Sequence, residues 1–170
     1  MSVAVERTRA WVQEMVVGLG LCPFAAPVVS GKLLHYAEHA AAMDPLDFAL
    51  HEAIALLQAA PTQRATTLVI YPSGQDDFET FLDLCAQLEG ALSAAGADGV
   101  LQVATFHPNY VFAGADPDDP ANGTNRSPYP TAHLLREADI SNAVASHPDP
   151  GAIPARNMDL LRRLAANGAR

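Results

Sequence analysis

The stretch TTLVIY at residues 66–71, closed by PSG at residues 72–74, decides the fold class of this 170-residue chain. Its β-branched and aromatic residues favour an extended backbone, and the Pro-Ser-Gly that follows is a turn signal, so we predict a strand that ends there. Weaker strand patterns occur before and after it, at residues 33–36 (LLHY) and 100–106 (VLQVATF). The sequence therefore predicts three strands.

Helical patterns alternate with these strands. Apolar residues recur at helical spacing from about residue 4 to about 19, and a second helix begins at Asp44 and Pro45, which are typical N-cap and first-turn residues. A third helical pattern starts at Phe78 and stops at Gly96. Because such alternation is typical of βαβ units, we predict an α/β domain whose three-stranded, or slightly larger, parallel or mixed sheet is covered by helices. A ferredoxin-like α+β arrangement is the alternative.

The length of the chain fits one domain with one core. Eight of its thirteen prolines lie between residues 108 and 154, so we expect regular structure before this segment, and loops with short helices within it. We predict a single domain over residues 1–170. It would consist of a scaffold at about 1–107 and a functional loop-and-helix segment at about 107–170 that ends in a C-terminal helix.

The charge balance disfavours two classes of partner. Ten Lys and Arg residues stand against nineteen Asp and Glu residues, which gives a net charge of −9. So acidic a chain is poorly suited to bind nucleic acid or an anionic membrane surface. It shows no apolar run of about 20 residues and no signal-peptide pattern, so we expect a cytoplasmic protein without a membrane partner. Residues 121–170 hold six basic and four acidic groups, which is compatible with a small anionic ligand.

The predicted strands point to one edge of the sheet as a binding site. If the strands are parallel, their carboxyl ends meet at one edge, where open α/β sheets bind ligands. Residues 36–39, 72–74 and 107–110 would line that edge. His107 is a candidate base or metal ligand there, with Tyr110 beside it. The alternative is that His107 bonds to the backbone at the end of its strand.

The stretch TNRSPYP, residues 124–130, combines donor-rich side chains with two prolines that stiffen the backbone. Arg126 is the first basic residue after Arg64, and nine acidic residues lie between them. We predict that this loop holds a carboxylate or phosphate group through the Arg126 guanidinium. The alternative is that Arg126 pins the acidic loop at residues 116–119 by a salt bridge. The candidate anion-binding residues of the stretch are Asn125, Arg126, Ser127 and Tyr129.

A further helix is predicted after Thr131, which is a suitable N-cap. That helix would place His133 and Glu137 at i and i+4 on one face, with Arg136 beside them. Two groups at this spacing can share a metal ion or a proton. The alternative is an ordinary polar pair on a solvated helix face.

Cys22 is a candidate nucleophile, metal ligand or redox thiol. It lies in LCPF, residues 21–24, after the first predicted helix, where a thiol can be exposed, whereas Cys85 falls on an apolar helix stripe. Each of the three roles needs a base or a metal that the fold brings close to the sulfur. The alternative is a buried, inert thiol.

Taken together, these motifs resemble a bacterial family of uncharacterised proteins, domain of unknown function 1415. The resemblance spans nearly the whole chain and implies no activity or site residue. It is carried by Trp11, GLGLCPFA (18–25), the strand start at 66–68, Phe78, QVATFHPNY (102–110), FAG (112–114), TNRSPYP (124–130), HLLRE (133–137) and the 156–157 region. The chain departs from the family at His35, where members tend to have Arg, and at Ala132, where they tend to have Leu.

The candidates combine into one hypothesis, a small cytoplasmic enzyme of unassigned reaction that acts on a small anionic substrate. Its predicted catalytic residues are Cys22, His107, His133 and Glu137. Its predicted anion-binding residues are Tyr110, Asn125, Arg126, Ser127, Tyr129 and Arg136.

Two chemistries remain open for this site. His107 and His133 would either bind a transition metal (zinc, iron or copper) together with Cys22, or serve Cys22 as base and orienting group. A different class of function is a non-catalytic module that binds a small anion or a protein. A third possibility is that the Pro-rich loop only locks the fold, with Arg126 and Glu137 in an ion-pair network.

Overall fold

A four-stranded mixed sheet organises the chain in a computed structural model that describes residues 2–168. Its strands are β1 Leu34–Glu38, β2 Thr66–Ile70, β3 Leu101–Phe106 and β4 Thr131–Arg136, in the order β1-β2-β4-β3. β1 is parallel to β2, and β4 is antiparallel to both β2 and β3. Strands β1, β2 and β3 therefore share one direction. The predicted α/β class is confirmed, with one strand more than the three recognised in the sequence.

The part of the chain that the structure describes contains six α-helices. They are α1 Val3–Trp11, α2 Ala25–Ser30, α3 Pro45–Gln58, α4 Phe78–Ala94, α5 Glu137–Ser146 and α6 Ile153–Ala166. A π-helix, Val12–Val17, continues α1, and 3₁₀ turns occupy Pro120–Asn125 and Pro150–Ala152. The predicted cap of α3 is confirmed, because the Asp44 carboxylate accepts hydrogen bonds from two backbone N–H groups of its first turn. No helix within residues 2–168 is long and apolar enough to cross a membrane.

The sheet separates two apolar layers. The layer between the sheet and helices α3 and α4 contains the fully buried residues Leu56, Val69, Phe81, Leu88 and Leu134. The layer between the sheet and α1 with its π-helix contains Trp11, Val12, Leu68 and Ile70. Because side chains alternate along a strand, neighbours such as Leu68 and Val69 serve opposite layers. The same alternation decides which face each candidate residue occupies.

The helix predicted after Thr131 is wrong, because residues 131–136 form strand β4 and the helix α5 begins only at Glu137. The segment pairs with β2 on one side and β3 on the other. Its backbone groups are satisfied by two neighbours, and this outweighs the helix propensity of its leucines. His133 and Glu137 therefore lie on a strand and on the following helix, and do not share a helix face.

Candidate functional site

A cavity of about 430 Å³ lies between the second face of the sheet and the helical layer formed by α1, its π-helix, α2 and α5. We name it the sheet cavity. Its wall is mostly apolar, and its larger side chains are Trp11, Phe24, Leu68, Phe106, Leu135 and Ile140. Volume and lining fall in the range of sites that hold small molecules. The cavity is therefore the first candidate for a ligand site in this fold.

The π-helix shapes one wall of the sheet cavity. Its wider turn is closed by the Gly18 N–H, which donates to the Gln13 carbonyl at 2.9 Å, an i to i−5 bond. A Cβ on Gly18 would lie 2.3 Å from the Glu14 carbonyl oxygen, so only glycine fits this turn. Val12 and Val16 of the π-helix line the cavity. Single π-helical turns occur often at functional sites, and this one borders the sheet cavity.

His133 places a polar group in the wall of the cavity, on the sheet side. Its Nε2 lies 2.7 Å from the Thr66 hydroxyl, and that hydroxyl lies 2.6 Å from the Leu134 carbonyl oxygen. A hydroxyl has one proton, and a carbonyl can only accept, so Thr66 donates to Leu134 and accepts from His133. Nε2 is therefore the protonated ring nitrogen, and Nδ1 carries a free lone pair.

The free lone pair of His133 is available to a ligand. Nδ1 has no hydrogen-bond partner among the described residues, and it retains accessible surface. Burial lowers the pKa of His133 to about 4, because an imidazolium is poorly solvated in this apolar wall. At neutral pH the ring is uncharged, and Nδ1 is a hydrogen-bond acceptor.

Cys22 also lines the sheet cavity, at the end of the loop that follows the π-helix. Helix α6 holds this loop, because the Asn157 amide donates to the Leu21 carbonyl at 2.7 Å and Arg156 donates to the Gly20 carbonyl at 2.9 Å. Burial raises the pKa of the Cys22 thiol, although two backbone N–H groups oppose the effect. The sulfur is therefore in the thiol form at neutral pH, and is not an activated thiolate.

His107 does not join this group. It follows β3 on the α4 side of the sheet, fully buried, with its ring against Phe78 and Phe81. Its Nε2 donates to the Gln75 carbonyl at 3.1 Å, and its Nδ1 accepts from the Asn109 N–H at 3.0 Å. Both ring nitrogens are thus occupied by the backbone, which is the alternative that the sequence left open.

The predicted metal set is not brought together by the fold. Cys22 and His133 line the sheet cavity, whereas His107 lies on the other face of the sheet. Among residues 2–168, no three His, Cys, Asp or Glu side chains lie close enough to hold a metal ion. The described residues therefore do not form the predicted metal site.

The predicted anion-binding loop is engaged with the main chain. Arg126 donates to the Tyr110 carbonyl at 3.0 Å and to the Pro117 carbonyl at 2.9 Å. It does pin the acidic loop, but through carbonyl groups, because the carboxylate of Asp119 pairs with Arg162 at 2.7 Å. Asn125 donates to the Thr105 carbonyl, Ser127 to the Tyr129 carbonyl, and the Tyr129 hydroxyl accepts from Arg7. The Tyr110 ring packs on Phe78 and Phe112.

Neither Arg136 nor Glu137 takes its predicted place in a site with Cys22 and His133, for different reasons. Arg136 borders the sheet cavity, but its guanidinium donates to the carbonyls of Leu56 and Ala59 at the end of α3 and to the Arg64 carbonyl in the loop before β2. A cation at a helix C-terminus satisfies its last carbonyls and its dipole. Glu137 lines a separate groove along β3.

The sequence missed several residues of the sheet cavity. Thr66 carried only a strand signal, and its role depends on its register with β4, in which it lies two residues before Leu68, the residue opposite His133. Gln102 and Asp139 also line the cavity without any local motif. The carboxyl ends of β1, β2 and β3 do share one edge, as predicted, but residues 36–39, 72–74 and 107–110 do not line this cavity.

Comparison with known proteins identifies the family of the chain. A family model described as "Protein of unknown function (DUF1415)" matches residues 3–170. No curated protein and no solved structure matches the chain. The match covers essentially the full length, including the π-helix, the Cys22 loop and strand β4. The chain therefore belongs to the DUF1415 family.

Proposed function

We propose that this protein binds a small, largely apolar molecule in the sheet cavity, and that one hydrogen-bond donor of the ligand is held by His133 Nδ1. The observation that carries the proposal is an accessible, unpartnered acceptor in a mostly apolar wall. A neutral imidazole in such a wall accepts from a ligand O–H or N–H without the cost of burying a charge. Such a combination of an apolar body and one fixed polar contact is typical of small-molecule sites.

The charges around the cavity favour a neutral ligand. Arg126 and Arg136, the two cations predicted to hold an anion, direct their guanidinium groups at main-chain carbonyls. Arg136 and Asp139 both line the cavity, and their opposite charges leave it without a net charge to attract an anion. The small anionic substrate expected from the sequence therefore gives way, in this proposal, to a neutral one.

A matched set of fluorescent probes tests the proposal. N-phenyl-1-naphthylamine is neutral and apolar with one N–H donor; 1-phenoxynaphthalene has the same shape without the donor; 8-anilino-1-naphthalenesulfonate adds an anion. We expect the amine to bind tighter than the ether by about 2- to 12-fold, the value of one hydrogen bond, and the sulfonate to bind weakest. His133→Leu should abolish the preference for the amine over the ether. His51→Leu, at an exposed histidine outside the cavity, should keep it.

Equal binding of amine and ether to the unmodified protein would contradict the role of His133. Absence of binding by all three probes would contradict the apolar site itself. Both outcomes are read from the same titration, with probe fluorescence as the signal.

The second candidate is a Cys22-dependent enzyme, favoured by one observation, namely that Cys22 and His133 line the same cavity. Because its pKa is raised, Cys22 would need to pass its proton to the neutral His133 when a substrate is bound. The test is the alkylation rate of Cys22 by N-ethylmaleimide across pH, with Cys22→Ser as the blank for buried Cys85. Rates below those of a free peptide thiol at every pH, with or without bound amine probe, would count against catalysis by this thiol.

A further inference from the structure

The outer edge of β3 carries unpaired backbone groups. The Val100 carbonyl accepts from the Glu137 N–H at 3.0 Å, so these two residues form a hydrogen-bonded pair. In an antiparallel ladder such pairs alternate with pairs that are not hydrogen-bonded to each other. Even-numbered residues of β3 therefore bond to β4, and the backbone groups of Leu101, Val103 and Thr105 point away from the sheet.

Two of these outward groups are satisfied within the fold. The Leu101 N–H donates to the Ala97 carbonyl at 3.2 Å, and the Thr105 carbonyl accepts from the Asn125 amide at 3.2 Å. Within residues 2–168, the Leu101 carbonyl, both backbone groups of Val103 and the Thr105 N–H have no partner. Four groups in a row are a template for one more short strand. The strand has no Pro, Lys or other charge to block such pairing.

A groove of about 260 Å³ runs beside this edge. Leu101 and Val103 line it, so it adjoins the first part of the unpaired edge, whereas Thr105 does not line it. Three carboxylates, Glu89, Asp98 and Glu137, also line it, and none of them takes part in an ion pair within the described residues. The groove therefore offers main-chain hydrogen bonds together with uncompensated negative charge.

We propose that the β3 edge docks an extended, Lys- or Arg-bearing segment of a partner protein, which pairs with Leu101, Val103 and Thr105 as a fifth strand. Main-chain hydrogen bonds supply affinity in this mode of recognition, and side-chain contacts supply specificity. The three carboxylates select the basic partner. A second copy of this chain is disfavoured as the occupant, because antiparallel pairing of two β3 edges would bring two sets of these carboxylates together. Gln102 lines both this groove and the sheet cavity, whereas the other groove residues do not line the cavity.

The probe is a seven-residue acetylated and amidated peptide of alternating Lys and Val, measured by calorimetry against the full chain. Its matched control is the same peptide with Glu in place of Lys. We expect the Lys peptide to bind and to lose about tenfold in affinity when Glu89→Gln and Glu137→Gln are combined. N-methylation of alternate peptide amides, which removes the donors on one edge, should abolish binding while leaving the charge unchanged.

Hydrogen exchange locates the peptide without any variant of the protein. The amides of Val103 and Thr105 should exchange fast in the free chain and become protected when the Lys peptide is present. Equal binding of the Lys and Glu peptides, unchanged exchange at these two amides, or dimerisation of the free chain through β3 would each overturn the proposal.

Discussion

The histidine in the cavity wall predicts how the stability of the protein depends on pH. In the unfolded chain His133 has a pKa near 6.5, whereas burial in the folded chain lowers it to about 4. Between these values the unfolded state binds a proton that the folded state does not. The free energy of unfolding should therefore decrease as the pH falls from about 6.5 to about 4. A difference of about 2.5 in pKa corresponds to a total of about 3 kcal/mol from this one residue.

Urea unfolding at several pH values measures this contribution directly. His133→Gln retains an N–H that can donate to Thr66, and it has no titrating group. The variant should therefore lose only the pH dependence of stability that His133 contributes. Relative to this variant, the unmodified protein should lose about 2 kcal/mol between pH 7 and pH 5, the slope being at most about 1.4 kcal/mol for each pH unit. His35, whose pKa is also lowered by burial, and the carboxylates titrate equally in both proteins. Parallel pH profiles of the two proteins would refute the assignment of a neutral His133 in the cavity wall.

Three further predictions concern the elements that hold the cavity and the loops. Gly18→Ala should lower the free energy of unfolding by about 1–3 kcal/mol, because its Cβ would lie 2.3 Å from a backbone oxygen one turn earlier. Its control, Gly90→Ala in the interior of α4, meets nothing within 4 Å and should stabilise by up to about 1 kcal/mol; thermal unfolding compares the two. Asn157→Ala should cost about 1–3 kcal/mol and speed alkylation of Cys22, since it releases the Cys22 loop; an unchanged rate would contradict that restraint. Arg126→Met should lower the melting temperature, and inorganic phosphate should not raise the melting temperature of the unmodified protein, because the guanidinium is occupied by carbonyls.

Local signals in the sequence were enough to predict most of the scaffold. The Asp44-Pro45 cap, the β-branched run of β2 and the apolar stripe of α4 each specify their element without help from distant residues. Parallel β1, β2 and β3 follow from the helices between them, because crossover connections impose one direction. The fold class could therefore be predicted, and so could the shared edge at the carboxyl ends of these strands.

Strand β4 and the candidate site depend on pairing that is not local. TAHLLR has no strict alternation of apolar and polar residues. It becomes a strand because two strand edges, about 30 and 65 residues earlier in the chain, are open to it. Its register places His133 beside Thr66 on one face of the sheet. The register of β3 carries His107 to the other face. No pattern in the sequence shows that these two histidines lie on opposite faces of the sheet. Their assignment to one site could therefore be corrected only from the structure.

The position of β4 in the strand order also shapes how this chain must fold. β2 and β3 do not touch each other, and the strand that joins them is the last of the four in the sequence. Until residues 131–136 are available, the sheet exists only as a β1–β2 pair and a lone β3, with apolar edges unpaired. Because closure waits for contacts between distant residues, folding should be slow for a chain of this size. During synthesis the incomplete sheet should be most prone to aggregation just before β4 emerges. We therefore expect protection by chaperones to matter most at this stage.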